Sequence, residues 1–230
     1  LRILLTPLFR AFEQFDDPAF RRVLLHSLLW TALAFVGLMV GGSWLLLHLA
    51  ALTGWWHAGI VGGFLGVIIV ALLTYLLFVP LATGIAGLYA DQIADAVERR
   101  WYPGLPAPSG ASLVAQSWDG VALGIRVLLA HLVGLIFLVV LPGLGIFVGW
   151  AIAAWAVGRG LFVLVAMRRA RRPDAITIYS GRRLSVVLQG ALLTAMGLVP
   201  LLNLLVPVVG VAVMIHLLHA PAEAARRAGA

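Results

Sequence analysis

An all-α integral membrane fold is predicted for this 230-residue chain by three observations. Its composition is 63% apolar and only 11% charged, its mean hydropathy is +1.06, and its charges fall in short stretches between long neutral runs. No Asp, Glu, Lys or Arg occurs from Val23 to Ala90, from Val127 to Gly158 or from Leu184 to Ala222. Runs of that length belong in lipid or inside protein. The expected arrangement is two long transmembrane helices followed by two Pro/Gly-broken, partly penetrating helical hairpins, with an N-terminal amphipathic helix, all in a single membrane domain over 1–230.

The elements follow in order. Residues 1–16 place Leu5, Leu8, Phe9 and Phe12 on one helical face, with Arg2, Arg10 and Glu13 away from it, as an interfacial amphipathic helix requires. Asp17-Pro18 reads as an N-cap followed by proline in the first turn and opens the first span over 18–52. Thr53-Gly54-Trp55-Trp56-His57 supplies a turn and paired indoles of the kind found at a membrane–water boundary. The second span, 59–101, meets no strong stop before Tyr102-Pro103 and so protrudes beyond the bilayer. Pro80 bends it. Beyond Leu88 it turns amphipathic, with Asp91, Asp95 and Glu98 on one face and Ile93, Val97 and Trp101 on another.

After a proline-rich linker come two hairpins, over 111–171 and 181–226. The first breaks at Leu141-Pro142-Gly143-Leu144-Gly145 and the second between Pro200 and Pro207. Their uncharged arms are short: fifteen residues each in the first, sixteen and thirteen in the second. Such arms reach roughly 20 to 24 Å into a core of about 30 Å. Arg126 and Arg159 stand at nearly equal distance from the first break, which puts them at matched depth. Read instead as ordinary full-length spans, the same arms would include both arginines, which would snorkel to the interface.

All sixteen basic residues are arginine, and the formal net charge is +7. Arginine is absent from the first turn and from both hairpin tips, and it clusters on the other side. That asymmetry predicts cytoplasmic termini. It also argues against nucleic acid as a partner, since the guanidinium groups bracket apolar spans instead of tracking a polar, aromatic-studded face. Without cysteine, disulfides, thiolate metal sites and a cysteine nucleophile are excluded.

Signatures of catalysis are missing, there being no GxSxG, HExxH or GxxxxGK[ST]. The chain is expected not to be an enzyme and to need no cofactor or metal. Asp91-x-x-x-Asp95 is half of an acidic magnesium motif whose preceding acidic and glycine elements are missing, and its spacing better suits an acidic helix face paired with arginines at 168–172 and 182–183. The six histidines are dispersed, and interior hydrogen bonding or interface anchoring suits them better than ligation. Gly37/Gly41, Gly120/Gly124 and Gly145/Gly149 are small-xxx-small pairs that predict close helix approach. Asn203, the sole polar side chain in the second tip, is a candidate for capping a helix end or lining a path. The strongest ligand candidate is the start of the first span, Asp17-Pro18-Ala19-Phe20-Arg21-Arg22. There a helix N-terminus coincides with two guanidinium groups, which suits a small oxyanion. The same residues also serve as a topology anchor.

Three segments resemble the CysZ-type sulfate permeases and the wider etoposide-induced-protein domain family. They are Pro18-Ala19-Phe20-Arg21-Arg22, the run from Asp91 to Pro103 that reads DQIADAVERRWYP, and PLLNLLVPVVG from Pro200. The resemblance implies two long helices and two partly penetrating hairpins, assembly as a homo-oligomer in the bacterial inner membrane, and sulfate uptake that feeds sulfur assimilation. The family's anion motif, Gly-Leu-Arg, falls on Ala19, Phe20 and Arg21, with Arg22 following; the arginine is kept and the first two residues are replaced. The leading expectation is therefore transport of sulfate or a related oxyanion, with anion binding at Ala19, Phe20, Arg21 and Arg22 and with Arg126, Arg159 and Asn203 along a path or tip. The alternative is a non-transporting membrane scaffold that organises itself, a partner or anionic lipid.

Overall fold

The computed structural model describes residues 2–53, 66, 68, 89–203 and 205–228, which are helical or lie in short connections, with no strand among them. The expected second span over 59–101, its entry turn and Pro80 lie outside the described residues, apart from 66, 68 and 89–101. Two compact units are formed, one from Leu1–Arg21 with Ala90–Ala230 and the other from Arg22–Tyr89.

In the first unit, α1 (Arg2–Glu13) runs into a 3-10 turn, Gln14–Asp16. The amphipathic reading holds, with a shift of face. Pro7, Ala11 and Gln14 are buried where α1 packs on α9, whereas Phe9 and Phe12 are exposed. The aromatic stripe therefore stays on the outside. Helix α2 (Pro18–Thr53) starts where the sequence predicts, because the Asp17 carbonyl accepts from Arg21 N at 2.9 Å and leaves Pro18, which has no N–H, in the first turn.

The second unit is described chiefly by the remainder of α2. Phe20–Leu45 is long and apolar enough to cross a membrane. Leu25, Leu29, Leu33, Val36 and Val40 are all exposed there, and a helix apolar all round suits lipid or a protein neighbour.

Helix α3 (89–101) belongs to the first unit from Ala90 onward and buries Ile93, Ala94 and Val97 at helical spacing. The chain turns at Gly104, whose φ of +84° favours glycine. Ser112 caps α4 (Leu113–Val140) by accepting from Ala115 N, and Leu141 breaks the hairpin before Pro142 opens α5 (Pro142–Met167). These arms are 28 and 26 residues long, about 42 and 39 Å, and not the short uncharged stretches expected. They run on because the helices continue through Arg126, which is exposed, and through Arg159, whose charge is met inside the fold. By length and composition, Leu113–Gly134 and Gly143–Met167 could each cross a membrane.

The second hairpin does keep short arms. After α6 (Arg172–Ser180), α7 (Arg183–Met196) has 14 residues, α8 (Pro200–Asn203) forms the tip, and the apolar part of α9 (Val206–Ala228) ends at Pro221. Residues 208–217 of α9 are buried without interruption and form the middle of the core with Phe162, Val163, Met167, Val186 and Leu193. Helices α5 and α7 cross at Gly158 and Gly190. A Cβ on Gly190 would collide with Ala154 O and Gly158 N, and one on Gly158 would come 2.5 Å from Val186 O. Among the described residues, close approach thus occurs there and not at Gly37, Gly41, Gly120, Gly124 or Gly149, beside which nothing lies within 4 Å of an added Cβ.

Candidate functional site

The start of α2 is organised by Gln14, which is wholly buried. Its side-chain amide donates to Asp17 Oδ2 at 3.0 Å and to Ala96 O at 3.4 Å, and its Oε1 accepts from Trp101 Nε1 at 2.9 Å. A buried amide that uses both ends in this way fixes the turn against α3. Trp101 is itself flanked by the guanidinium carbons of Arg10 at 5.0 Å and Arg100 at 5.6 Å. Asp16, Asp17 and Pro18 line a cleft with Ala96, Arg99 and Arg100.

On this support Ala19 and Phe20 fall in the first turn of α2. Phe20 is fully buried, with its ring edge-on to Phe15 at 5.5 Å. The bulky replacement for leucine is therefore an anchor in the core and does not cover the surface. Arg21 and Arg22 follow as exposed residues. No carboxylate among the described residues pairs with either.

The other candidates separate. Arg126 is exposed on α4, whereas Arg159 is buried and holds Asp119 in a two-pronged pair at 2.7 and 2.9 Å. Arg172 Nε reaches the same carboxylate at 3.0 Å. The equal spacing of Arg126 and Arg159 from the break therefore does not bring them to a common site. Asn203 is exposed at the end of α8, and a Cβ on Gly197 would lie 3.2 Å from its Oδ1, so its amide sits back against the end of α7.

The largest polar cluster among the described residues joins α3, the end of α5 and α9. Arg168 spans Asp91 and Asp95, each at 2.6 Å, and Glu98 at 3.2 Å. Arg169 forks onto Glu98 at 2.7 and 2.8 Å and also donates to Pro106 O, while His219 Nε2 meets Glu98 Oε1 at 3.1 Å. Beside it, the Tyr102 hydroxyl and His216 Nδ1 are 2.9 Å apart. Burial by itself would raise the Glu98 carboxyl, but hydrogen bonds from Arg169 and His219 and the charges of Arg169 and Arg168 outweigh it and hold the group at about 2, against 4.5 ordinarily. Burial disfavours the Arg168 charge, yet its bonds to Asp95 and Asp91 and the Glu98 charge raise its pKa overall.

The pairing of the acidic α3 face with the 168–172 arginine cluster was legible from spacing, though only Arg168 and Arg169 make it, and Arg172 goes to Asp119 instead. Arg182 and Arg183 do not join it: Arg182 turns to backbone carbonyls of α9. The roles of Gln14 and Tyr102 went unread, whereas interior hydrogen bonding, expected of the histidines as a group, is what His216 and His219 do. The i, i+3 spacing of His216 and His219 on an otherwise apolar helix was the available signal, and it becomes meaningful only once α9 lies beside α3.

Apolar helices of membrane-crossing length, with ion pairs kept between them, define a helical integral membrane protein. The chain matches, over residues 7–207, the family described as Sulfate transporter CysZ/Etoposide-induced protein 2.4, and it belongs to that family. No curated protein matches it.

Proposed function

We propose that this protein conducts an inorganic oxyanion, sulfate above others, across the bacterial inner membrane as a homo-oligomer with both termini in the cytoplasm. On this reading it moves a solute without transforming it, and it needs no cofactor. The observation that carries the reading is the state of Arg21 and Arg22. They are exposed and without a carboxylate partner among the described residues, at the start of an apolar helix, while Arg159, Arg168, Arg169 and Arg172 are held by internal acids. Guanidinium groups left uncommitted in this way suit the forked geometry of a tetrahedral oxyanion. Backbone N–H groups of the first turn add donors, in competition with the Asp17 carboxylate at the cap. Membership of a family described as sulfate transporters supports the choice of anion.

The hairpin tips support the conducting role. Backbone interrupted at membrane depth has to be covered by protein or meet water, because each unsatisfied group in lipid costs several kcal/mol. Arg126, exposed near the middle of α4, is costly in hydrocarbon, which favours a first hairpin that enters only part of the bilayer or is covered by a neighbouring subunit.

Purified protein in liposomes is expected to pass radiolabelled sulfate. The double variant Arg21→Ala, Arg22→Ala should lose that flux by about tenfold or more, as expected when charge-assisted contacts to the anion are removed, while keeping its elution profile and helical content. Absence of flux from the unaltered protein would favour the scaffold reading.

A further inference from the structure

Helix α9 continues through Pro221 to Ala228, although proline has no N–H to give to the carbonyl four residues earlier, and its ring crowds that turn. The carbonyl deprived of its donor is that of Leu217. It is met from outside the helix: Arg182 Nη1 donates to Leu217 O at 2.7 Å and to Leu218 O at 2.7 Å. Leu217 is 5% exposed, so water is poorly placed to do the same. Burial disfavours the charge on Arg182, and no carboxylate contact offsets it among the described residues. Its position is held by its backbone, which caps the start of α7 by accepting from Val186 N at 3.0 Å and is itself tied to Tyr179 O at 2.9 Å.

We propose that Arg182 is a surrogate rung: a side-chain donor that carries α9 across Pro221 and fixes the root of a hinged C-terminal arm, residues 221–228, which bears Arg226 and Arg227. The turn that Arg182 grips also carries His216 and His219, which reach Tyr102 and Glu98 on the other side. The guanidinium therefore grips the turn at which the arm leaves, while the histidines hold that turn to α3 independently. Releasing it frees the arm while the core of α9, residues 208–217, stays in place.

Hydrogen–deuterium exchange of the full chain in detergent micelles tests this. Arg182→Gln is expected to speed exchange of the amides of 222–228 by about tenfold or more, with the amides of α4 unchanged as a control for the fold. Pro221→Ala restores the missing N–H, so the Arg182→Gln, Pro221→Ala double variant should recover protection. Unchanged exchange in Arg182→Gln, or no recovery in the double variant, overturns the proposal. Should Arg182→Gln fail to fold alone, Pro221→Ala is compared with the double variant. Equal protection of the arm in those two supports the surrogate rung, and continued loss in the double variant overturns it.

Discussion

Glu98 is the residue on which most of the polar structure converges, since two arginines and a histidine donate to it while its own exposure is 6%. Replacing it by glutamine leaves the Arg169 guanidinium facing a neutral partner in a largely buried place, while Arg168 keeps Asp91 and Asp95. Loss of one member of such a pair typically costs about 3–5 kcal/mol, and denaturant unfolding in detergent should register a loss on that scale. The pH dependence has a definite sign. The folded-state value of about 2 lies below the ordinary 4.5, so the stability contributed by Glu98 is complete above about 4.5 and is lost as pH falls toward 2. The unaltered protein should therefore lose stability more steeply across that interval than the Glu98→Gln variant; parallel curves would remove Glu98 from its assigned place. Phe20 offers the converse lesson at the same scale. Its neighbours Arg21 and Arg22 are exposed while it is buried, so the bulky ring faces the core and leaves the two guanidinium groups uncovered.

At the scale of elements, the α5–α7 crossing is the tightest helix contact described. Adding one methyl at Gly190 strikes backbone atoms that have no freedom to move, namely Ala154 O and Gly158 N. Gly190→Ala is expected to lower stability by at least about 2 kcal/mol. Gly120→Ala, with open space around it, should be neutral or gain up to about 1 kcal/mol from helix propensity. Thermal unfolding of the two variants side by side checks the contrast, and equal effects would place the crossing elsewhere. Sequence patterning alone nominated Gly120/Gly124 and passed over Gly158 and Gly190. A small residue marks where a helix could be approached, but whether another helix arrives depends on the turn and on the faces already occupied. Helix starts were far more legible. Asp17-Pro18 opens α2 and Leu141-Pro142 opens α5 as read, because caps and prolines act on the backbone within a few residues of themselves.

At the scale of the molecule, the proposed topology places both hairpin tips on the same side, away from the arginine-rich segments. The chain has no native cysteine, so single cysteines at positions 143 and 203 can be labelled cleanly with an impermeant reagent. Both are expected to react from the face opposite to a cysteine at position 170, or to be shielded together. Labelling of 143 and 203 from opposite faces would dismantle the two-hairpin arrangement and with it the proposed path. The bounds of the first hairpin, 111–171, enclose α4 and α5, and of the two readings of its arms the helices follow the longer one, through Arg126 and Arg159. Arg159 in fact continues inside α5, since Asp119, forty positions earlier in the chain, meets its charge.

Local chemistry along the chain was enough to give an all-helical chain with helices apolar enough to cross a membrane, the start of α2 and the breaks at the two tips, because hydropathy, caps and prolines act over short separations. Which charges are spent internally was decided only by tertiary structure. Glu98 and His219, or Arg182 and the carbonyls of α9, are distant in sequence and become partners only when their helices pack side by side. On the proposed function, that division determines which arginines remain available to an anion.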